Sequence, residues 1–161
     1  MNADGSGLTN LTNNSASDYQ PVWSPDGTKI AFFSIRDGGE KLYVMDSDGS
    51  SLTRLTNQGY ALKSPVWSTD GSRIVYTWES TATAHDDIHV VDVNGSGSTS
   101  LTNLTNHLDD DLQPFWSKDD SQIYFSTYRD GNSEIYVMNA DGSELTNLTN
   151  DPGNDFSLSV R

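Results

Sequence analysis

Leu8-Thr9-Asn10-Leu11-Thr12 recurs as Leu52-Thr53-Arg54-Leu55-Thr56, as Leu101-Thr102-Asn103-Leu104-Thr105 and as Leu145-Thr146-Asn147-Leu148-Thr149, at spacings of 44, 49 and 44 residues. A second landmark keeps the same register: Pro21-Val22-Trp23-Ser24, Pro65-Val66-Trp67-Ser68 and Pro114-Phe115-Trp116-Ser117, with each Trp 11 residues after the last Thr of the preceding repeat. Two independent landmarks on one period of this length define a four-strand repeating unit.

Between the landmarks lie short runs of β-branched and aromatic residues. Ile30-Ala31-Phe32-Phe33-Ser34, Ile74-Val75-Tyr76-Thr77-Trp78 and Ile123-Tyr124-Phe125-Ser126-Thr127 form one set. Leu42-Tyr43-Val44-Met45, Ile88-His89-Val90-Val91 and Ile135-Tyr136-Val137-Met138 form the next, and each repeat reads as strands A, B, C and D. Asp26-Gly27, Asp37-Gly38, Asp48-Gly49, Asp70-Gly71, Asn94-Gly95, Asp130-Gly131 and Asp141-Gly142 supply turn residues that accept positive φ, so neighbouring strands are antiparallel. Leu42 and Val44 point one way while Tyr43 and Met45 point the other, so both faces of each sheet need cover. A single-layer meander leaves one face wet, and a two-sheet sandwich is the competing arrangement. Four-stranded sheets stacked radially bury both faces. The expected fold is all-β, built of propeller blades of four antiparallel strands: three complete blades, an N-terminal D strand and a C-terminal A strand.

The stretches Pro21-Val22-Trp23-Ser24-Pro25-Asp26-Gly27-Thr28-Lys29-Ile30-Ala31-Phe32 and 128–143, from Tyr128-Arg129-Asp130-Gly131 to Asn139-Ala140-Asp141-Gly142-Ser143, resemble the TolB-type, WD-like propeller repeat. The resemblance covers almost the whole chain and implies the cell envelope, periplasmic or extracellular, as its compartment. Blade 2 departs at Thr69 and by five extra residues within 79–100, and blade 3 at Lys118-Asp119-Asp120; these are loop changes.

One partial propeller spans 1–161: a lone D strand (1–12), blade 1 (13–56), blade 2 (57–105), blade 3 (106–149) and a lone A strand (150–161). Met1-Asn2-Ala3-Asp4-Gly5-Ser6 recurs as Met138-Asn139-Ala140-Asp141-Gly142-Ser143, which puts the two ends in the same register. Propellers close with about four to eight blades, so three leave two apolar faces without cover. Two chains supply six blades, and a homodimeric ring is the expected assembly. Both chains would bring A-strand copies (13–24 and 150–161) to each junction. An open spiral of chains, a fragment of a longer propeller and a designed repeat unit are the alternatives.

With 23 acidic against 9 basic residues, the formal net charge is −14. Nucleic-acid phosphates and anionic membrane surfaces are poor partners for such a chain, because binding them depends on clustered Lys and Arg. No apolar run is long enough for membrane insertion. Cysteine is absent, which excludes disulfides and thiolate metal sites.

The densest polar cluster is expected where the B–C loop of blade 2 (79–87) meets the connection into blade 3 (106–113): His85, Asp86, Asp87, His107, Asp109, Asp110 and Asp111. Carboxylates suit Ca²⁺, whereas the imidazoles favour Zn²⁺, Mn²⁺ or Ni²⁺. A solvated acidic loop is the alternative. His89 stands where Tyr43 and Tyr136 stand and is expected to pack between blades. Asp46-Ser47-Asp48-Gly49-Ser50 lacks the closing Glu of a calcium loop and reads as a hairpin turn. Asn10, Asn103 and Asn147 lie in Asn-Leu-Thr sequons, for which a polar outer strand is a sufficient reason, and Asn13 and Asn94 fit the same pattern. Arg36 and Arg129, at matching positions, suit a bidentate carboxylate partner. No nucleophile elbow, phosphate loop or Ser/Cys–His–Asp set is present, so no catalytic residue and no cofactor is assigned.

Three functions follow. The resemblance implies a non-catalytic scaffold for a protein, peptide or ligand. The acidic, His-bearing rim suggests a metal-dependent enzyme or metal-binding module. The open ends suggest a repeat whose partner is itself.

Overall fold

The computed structural model describes residues 3–57, 60–80, 84–94 and 101–155. Three four-stranded antiparallel sheets follow one another, each in chain order. The first holds β1 (Asp18–Trp23), β2 (Lys29–Ser34), β3 (Lys41–Asp46) and β4 (Thr53–Arg54). The second holds β5 (Leu62–Trp67), β6 (Arg73–Glu79), β7 (Asp86–Asp92) and β8 (Thr102–Asn103). The third holds β9 (Asp111–Trp116), β10 (Gln122–Thr127), β11 (Glu134–Asn139) and β12 (Thr146–Asn147). These are the expected blades.

The landmark motifs have mechanical roles. In each A–B turn a serine hydroxyl (Ser24, Ser68, Ser117) donates to the aspartate two residues on (Asp26, Asp70, Asp119) at 2.7, 2.6 and 2.7 Å. The same oxygen accepts the N–H that opens the next strand, from Lys29, Arg73 and Gln122, each at 2.9 Å. Hydrogen bonds to Asp70 and Asp119, led by those from Ser68 and Ser121, hold these carboxyls down at about 2. Blade 3 keeps this turn although its sequence departs, because Asp120 adopts the positive φ (58°) of Gly27 and Gly71.

Leu-Thr-x-Leu-Thr closes each blade. The final Thr oxygen of Thr56, Thr105 and Thr149 accepts the N–H of Leu42, Ile88 and Ile135 on the C strand at 3.0, 3.0 and 3.1 Å. A side chain thus continues a D ladder only two residues long. The central Asn of the motif caps the following turn, as Asn103 Oδ1 accepts from Thr105 and Asn106 N–H, each at 3.1 Å. This Asx turn is the reason for asparagine in the sequons, more specific than a polar edge.

The A strands contain a feature the strand pattern did not predict. The register of β1 against β2 shifts between Tyr19 and Val22, that of β5 between Lys63 and Val66, and that of β9 beside Ser126 and Tyr124 of β10. Gln20, Ser64 and Gln113, each preceding a proline, have φ of 49°, 53° and 51°. Proline has no N–H to give a ladder, so the repeat puts it on an edge strand at a bulge.

Each blade buries its faces on its neighbours. Ala31, Phe33, Leu42, Val44 and Leu55 of blade 1 pack on Leu62, Trp67, Ile74, Tyr76 and Val91 of blade 2. Val75, Ile88 and Val90 of blade 2 meet Trp116, Ile123, Phe125, Tyr136 and Met138 of blade 3. Every blade therefore has a leading face, carrying its Trp, and a trailing face.

The expected lone D strand is corrected: residues 3–12 form turns and bends without a ladder. A D strand needs a C strand to pair with, and among the described residues none pairs with this segment. Leu11 still packs on Ile30, Phe32, Tyr43 and Met45, as Leu55 does on blade 2. At the other end residues 150–155 are irregular, and the rest of the expected A strand (156–161) lies outside the described residues.

Candidate functional site

Each described rim residue has its own partner within the fold. Asp86 and Asp87 are strand residues rather than loop residues, since β6 and β7 pair as far as Trp78↔Asp87 and Glu79↔Asp86. Successive strand positions point to opposite faces, which separates the two carboxylates. Asp86 holds Lys63 Nζ at 2.8 and 3.2 Å. Burial alone would lower the Lys63 ammonium, but Asp86 raises it above its usual range. Asp87 accepts from Asn103 Nδ2 (2.9 Å), Thr105 Oγ1 (3.3 Å) and His107 N–H (3.0 Å). Asp110 accepts the N–H of Asp86 at 3.1 Å and stands 3.7 Å from His85 Nδ1. His107 Nδ1 accepts the N–H of Asp109 at 3.2 Å. Asp111, fully buried, holds Arg129 Nη2 with both oxygens at 2.9 and 3.1 Å. Among the described residues no three His, Asp or Glu side chains converge as metal ligands. The acidic density expected to gather Ca²⁺ is divided into separate internal clips.

One of these clips repeats. Arg36 binds Asp18 Oδ1 and Ser34 Oγ, each at 2.9 Å, and lies 5.3 and 5.0 Å from the ring centres of Phe32 and Tyr43. Arg129 binds Asp111 and Thr127 and lies 5.6 and 5.0 Å from Phe125 and Tyr136. In blade 2 the corresponding residues are Leu62, Trp78, Ser80 and His89, and the indole of Trp78 sits 4.7 Å from the His89 ring, which also stacks on Tyr76 at 5.9 Å. His89 packs between blades as expected. Burial pushes its imidazole down to about 4, partly opposed by Asp87.

The sequence predicts an uncovered face on blade 1 without singling out its tryptophan. Trp67 Nε1 donates to Val22 O at 3.2 Å and Trp116 Nε1 to Val66 O at 3.3 Å, so each indole clips its blade to the one before. Both are buried, whereas Trp23 is 58% exposed, and among the described residues its Nε1 has no acceptor. On the same blade a cavity of about 300 Å³ opens, lined by Leu11, Tyr19, Pro21, Ile30, Phe32 and Met45 together with the polar Thr9, Asn10, Thr12 and Asp18. The available signal was positional: Trp23 is the first of the three copies, and among the described residues no earlier A strand supplies it a carbonyl.

Meandering four-stranded sheets, stacked face to face and clipped by a repeated Trp, define a β-propeller segment. The chain belongs to the TolB β-propeller domain family, whose model matches residues 1–103. A putative TolB from Agrobacterium tumefaciens is similar at 28% identity, with a TM-score of 0.68 over 85% of this chain and 50% of that one. TolB from Acinetobacter baumannii shares the fold at 22% identity and TM-score 0.63, over 80% of this chain and 31% of that one. So does a puromycin-hydrolyzing peptidase of Mycobacterium tuberculosis, at 17% identity and TM-score 0.70, over 84% of this chain and 24% of that one. The chain thus spans half or less of these proteins. No curated protein matches it. Because the fold occurs in a peptidase as well as in TolB, it carries no chemistry by itself.

Proposed function

We propose that the chain is a non-catalytic binding scaffold: three propeller blades that complete a six-bladed ring with a second copy and present its rim and channel to a protein or peptide. The observation that carries this reading is Trp23, 58% exposed on the leading side of blade 1 where Trp67 and Trp116 are buried at the internal joints, while Ile30, Phe32, Tyr43 and Met45 of the same face are covered within the chain by Leu11. Leaving that indole in water is costly, since burial stabilises by about 25 cal/mol per Å² of apolar surface. The rim carboxylates support binding over chemistry, because hydrogen bonds within the fold already occupy them. The strong negative charge favours a neutral or basic partner surface.

Light scattering coupled to gel filtration tests ring completion. A mass twice the 17.6 kDa of the chain is expected, falling toward one chain on dilution. A well-folded monomer at every concentration overturns it.

A further inference from the structure

Resting on that ring-completion reading, we infer that the partner of the Trp23 face is the trailing face of blade 3 in a second copy, so that the chains join head to tail. The internal joints supply the template. At each, a Trp on the leading face donates to the carbonyl just before the Trp of the preceding blade, Val22 or Val66. The next carbonyl in that series is Phe115. It has the same place in the ladder, since Val22↔Ala31, Val66↔Val75 and Phe115↔Tyr124 are equivalent pairs. An incoming Trp23 indole therefore finds its acceptor on blade 3.

A second key points the same way. At the joint of blades 1 and 2, Ser64 N–H donates to Gln20 Oε1 at 3.0 Å. Gln113 has the position of Gln20, the same positive φ and an exposed side chain, so it can accept from the backbone N–H of a partner's residue 20. The apolar surfaces correspond as well. Tyr124, Ile135, Val137 and Leu148 stand where Ala31, Leu42, Val44 and Leu55 stand in blade 1; Ile135 and Val137 are already buried in the single chain, and Leu148 is 50% exposed where Leu55 is 2% exposed.

Joining two leading faces satisfies none of this, because it sets one Trp23 against another and offers neither indole a carbonyl. Three blades of a six-bladed ring span half a turn, so two identical head-to-tail joints close it, whereas a joint that does not close propagates a filament. The joint also has a competitor within the chain. Asp155, the equivalent of Asp18, donates its N–H to Ser133 O at 2.7 Å, and Asn154 Oδ1 accepts from Ser133 N–H at 2.9 Å. An incoming A strand displaces this segment or its own N-terminal stretch, which makes assembly reversible and dependent on concentration.

The absence of cysteine allows a direct test of polarity. Chains carrying Gln20→Cys or Gln113→Cys, with tags of different size, are treated with a short bis-maleimide separately and mixed. A chain with both Gln20→Cys and Ser64→Cys, cross-linked internally, verifies that the reagent spans the joint. Cross-linking only in the mixture, between unlike tags, is the expected result. Cross-linked dimers of Gln20→Cys alone, or a doubled mass in light scattering without cross-linking in the mixture, overturn the head-to-tail joint and leave self-association standing. A single-chain mass for the unmodified protein at all concentrations overturns ring completion and this joint together.

Discussion

Acidification should weaken this protein through one residue, His89. Its ring is 4% exposed, between Tyr76 and Trp78, and burial lowers its pKa from 6.5 to about 4. The unfolded chain therefore binds a proton at a pH where the folded chain does not, and stability falls as pH drops from about 6.5 toward 4. The full difference is about 3 kcal/mol, from 1.36 kcal/mol per pKa unit. About 2 kcal/mol of it is already lost at pH 5, where most carboxylates are still ionised. For a chain of this size that corresponds to a fall in Tm of about 4–8 °C between pH 7 and pH 5. Melting followed by circular dichroism at both pH values, in wild type and in His89→Tyr, isolates the effect. Tyrosine is the residue at the equivalent positions, where Tyr43 and Tyr136 donate to Asp37 and Asp130, both at 2.6 Å. Asp87, held by Asn103 as Asp130 is by Asn147, offers an acceptor in blade 2. His89→Tyr should hold its melting temperature across this range. An equal loss in the variant refutes the assignment to His89.

Arg129→Ala strands Asp111, whose side chain is fully buried, and should cost about 3–5 kcal/mol in urea unfolding, while adding Asp111→Asn recovers part of it. Gly142→Ala should destabilise more than Gly131→Ala: their φ values are +87° and +90°, but a Cβ on Gly142 meets Leu104 O at 2.9 Å and one on Gly131 meets nothing within 4 Å. Trp116→Phe removes the bond to Val66 O and weakens the stacking of Arg73, whose guanidinium carbon is 4.4 Å from the ring centre, and should lower stability by about 1–2 kcal/mol. Trp23→Phe should leave the melting temperature of the dilute chain unchanged and shift self-association to higher concentration.

The blades were legible because their determinants are local. A strand of alternating apolar residues, a Ser-x-Asp turn and a Thr that bonds the neighbouring strand all act within a few positions of one another. The A-strand bulge was legible in principle, since Pro21, Pro65 and Pro114 inside strand-like runs demand an irregularity; alternation counting passed over it. Counting charges placed the rim acids together but not their partners. Asp86, Asp87 and Asp111 are close in sequence to other acids, but a residue's own charge does not reveal that Lys63, Asn103 or Arg129 waits across a strand. The N-terminal repeat misled for the converse reason: residues 3–12 have the sequence of a D strand, and a strand of two residues exists only when a C strand pairs with it.

Blade 2 shows how the two inter-blade solutions exclude each other. In blades 1 and 3 a carboxylate, a hydroxyl and a guanidinium are held against two aromatic rings; blade 2 fills the same space with Leu62, Trp78 and His89. A buried ion pair is close in free energy to a well-packed apolar replacement, but half of either is poor, since a lone buried Asp or Arg costs several kcal/mol. The residues at these positions must therefore change as a group. The charged version also bears on assembly. Asp18 and Arg36 lie at the leading edge of blade 1 with side chains only 14% and 8% exposed, although among the described residues no other blade packs on that edge. Their desolvation has already occurred within the single chain, so a docking blade adds little further electrostatic cost. What it adds is apolar: cover for Trp23 and for the cavity on the same blade. Because each chain carries a formal net charge of −14, two copies repel at low ionic strength, so association through this face should strengthen as salt screens them, and a steep weakening of the dimer between low and physiological ionic strength would show that charge, and not the apolar blade face, holds it.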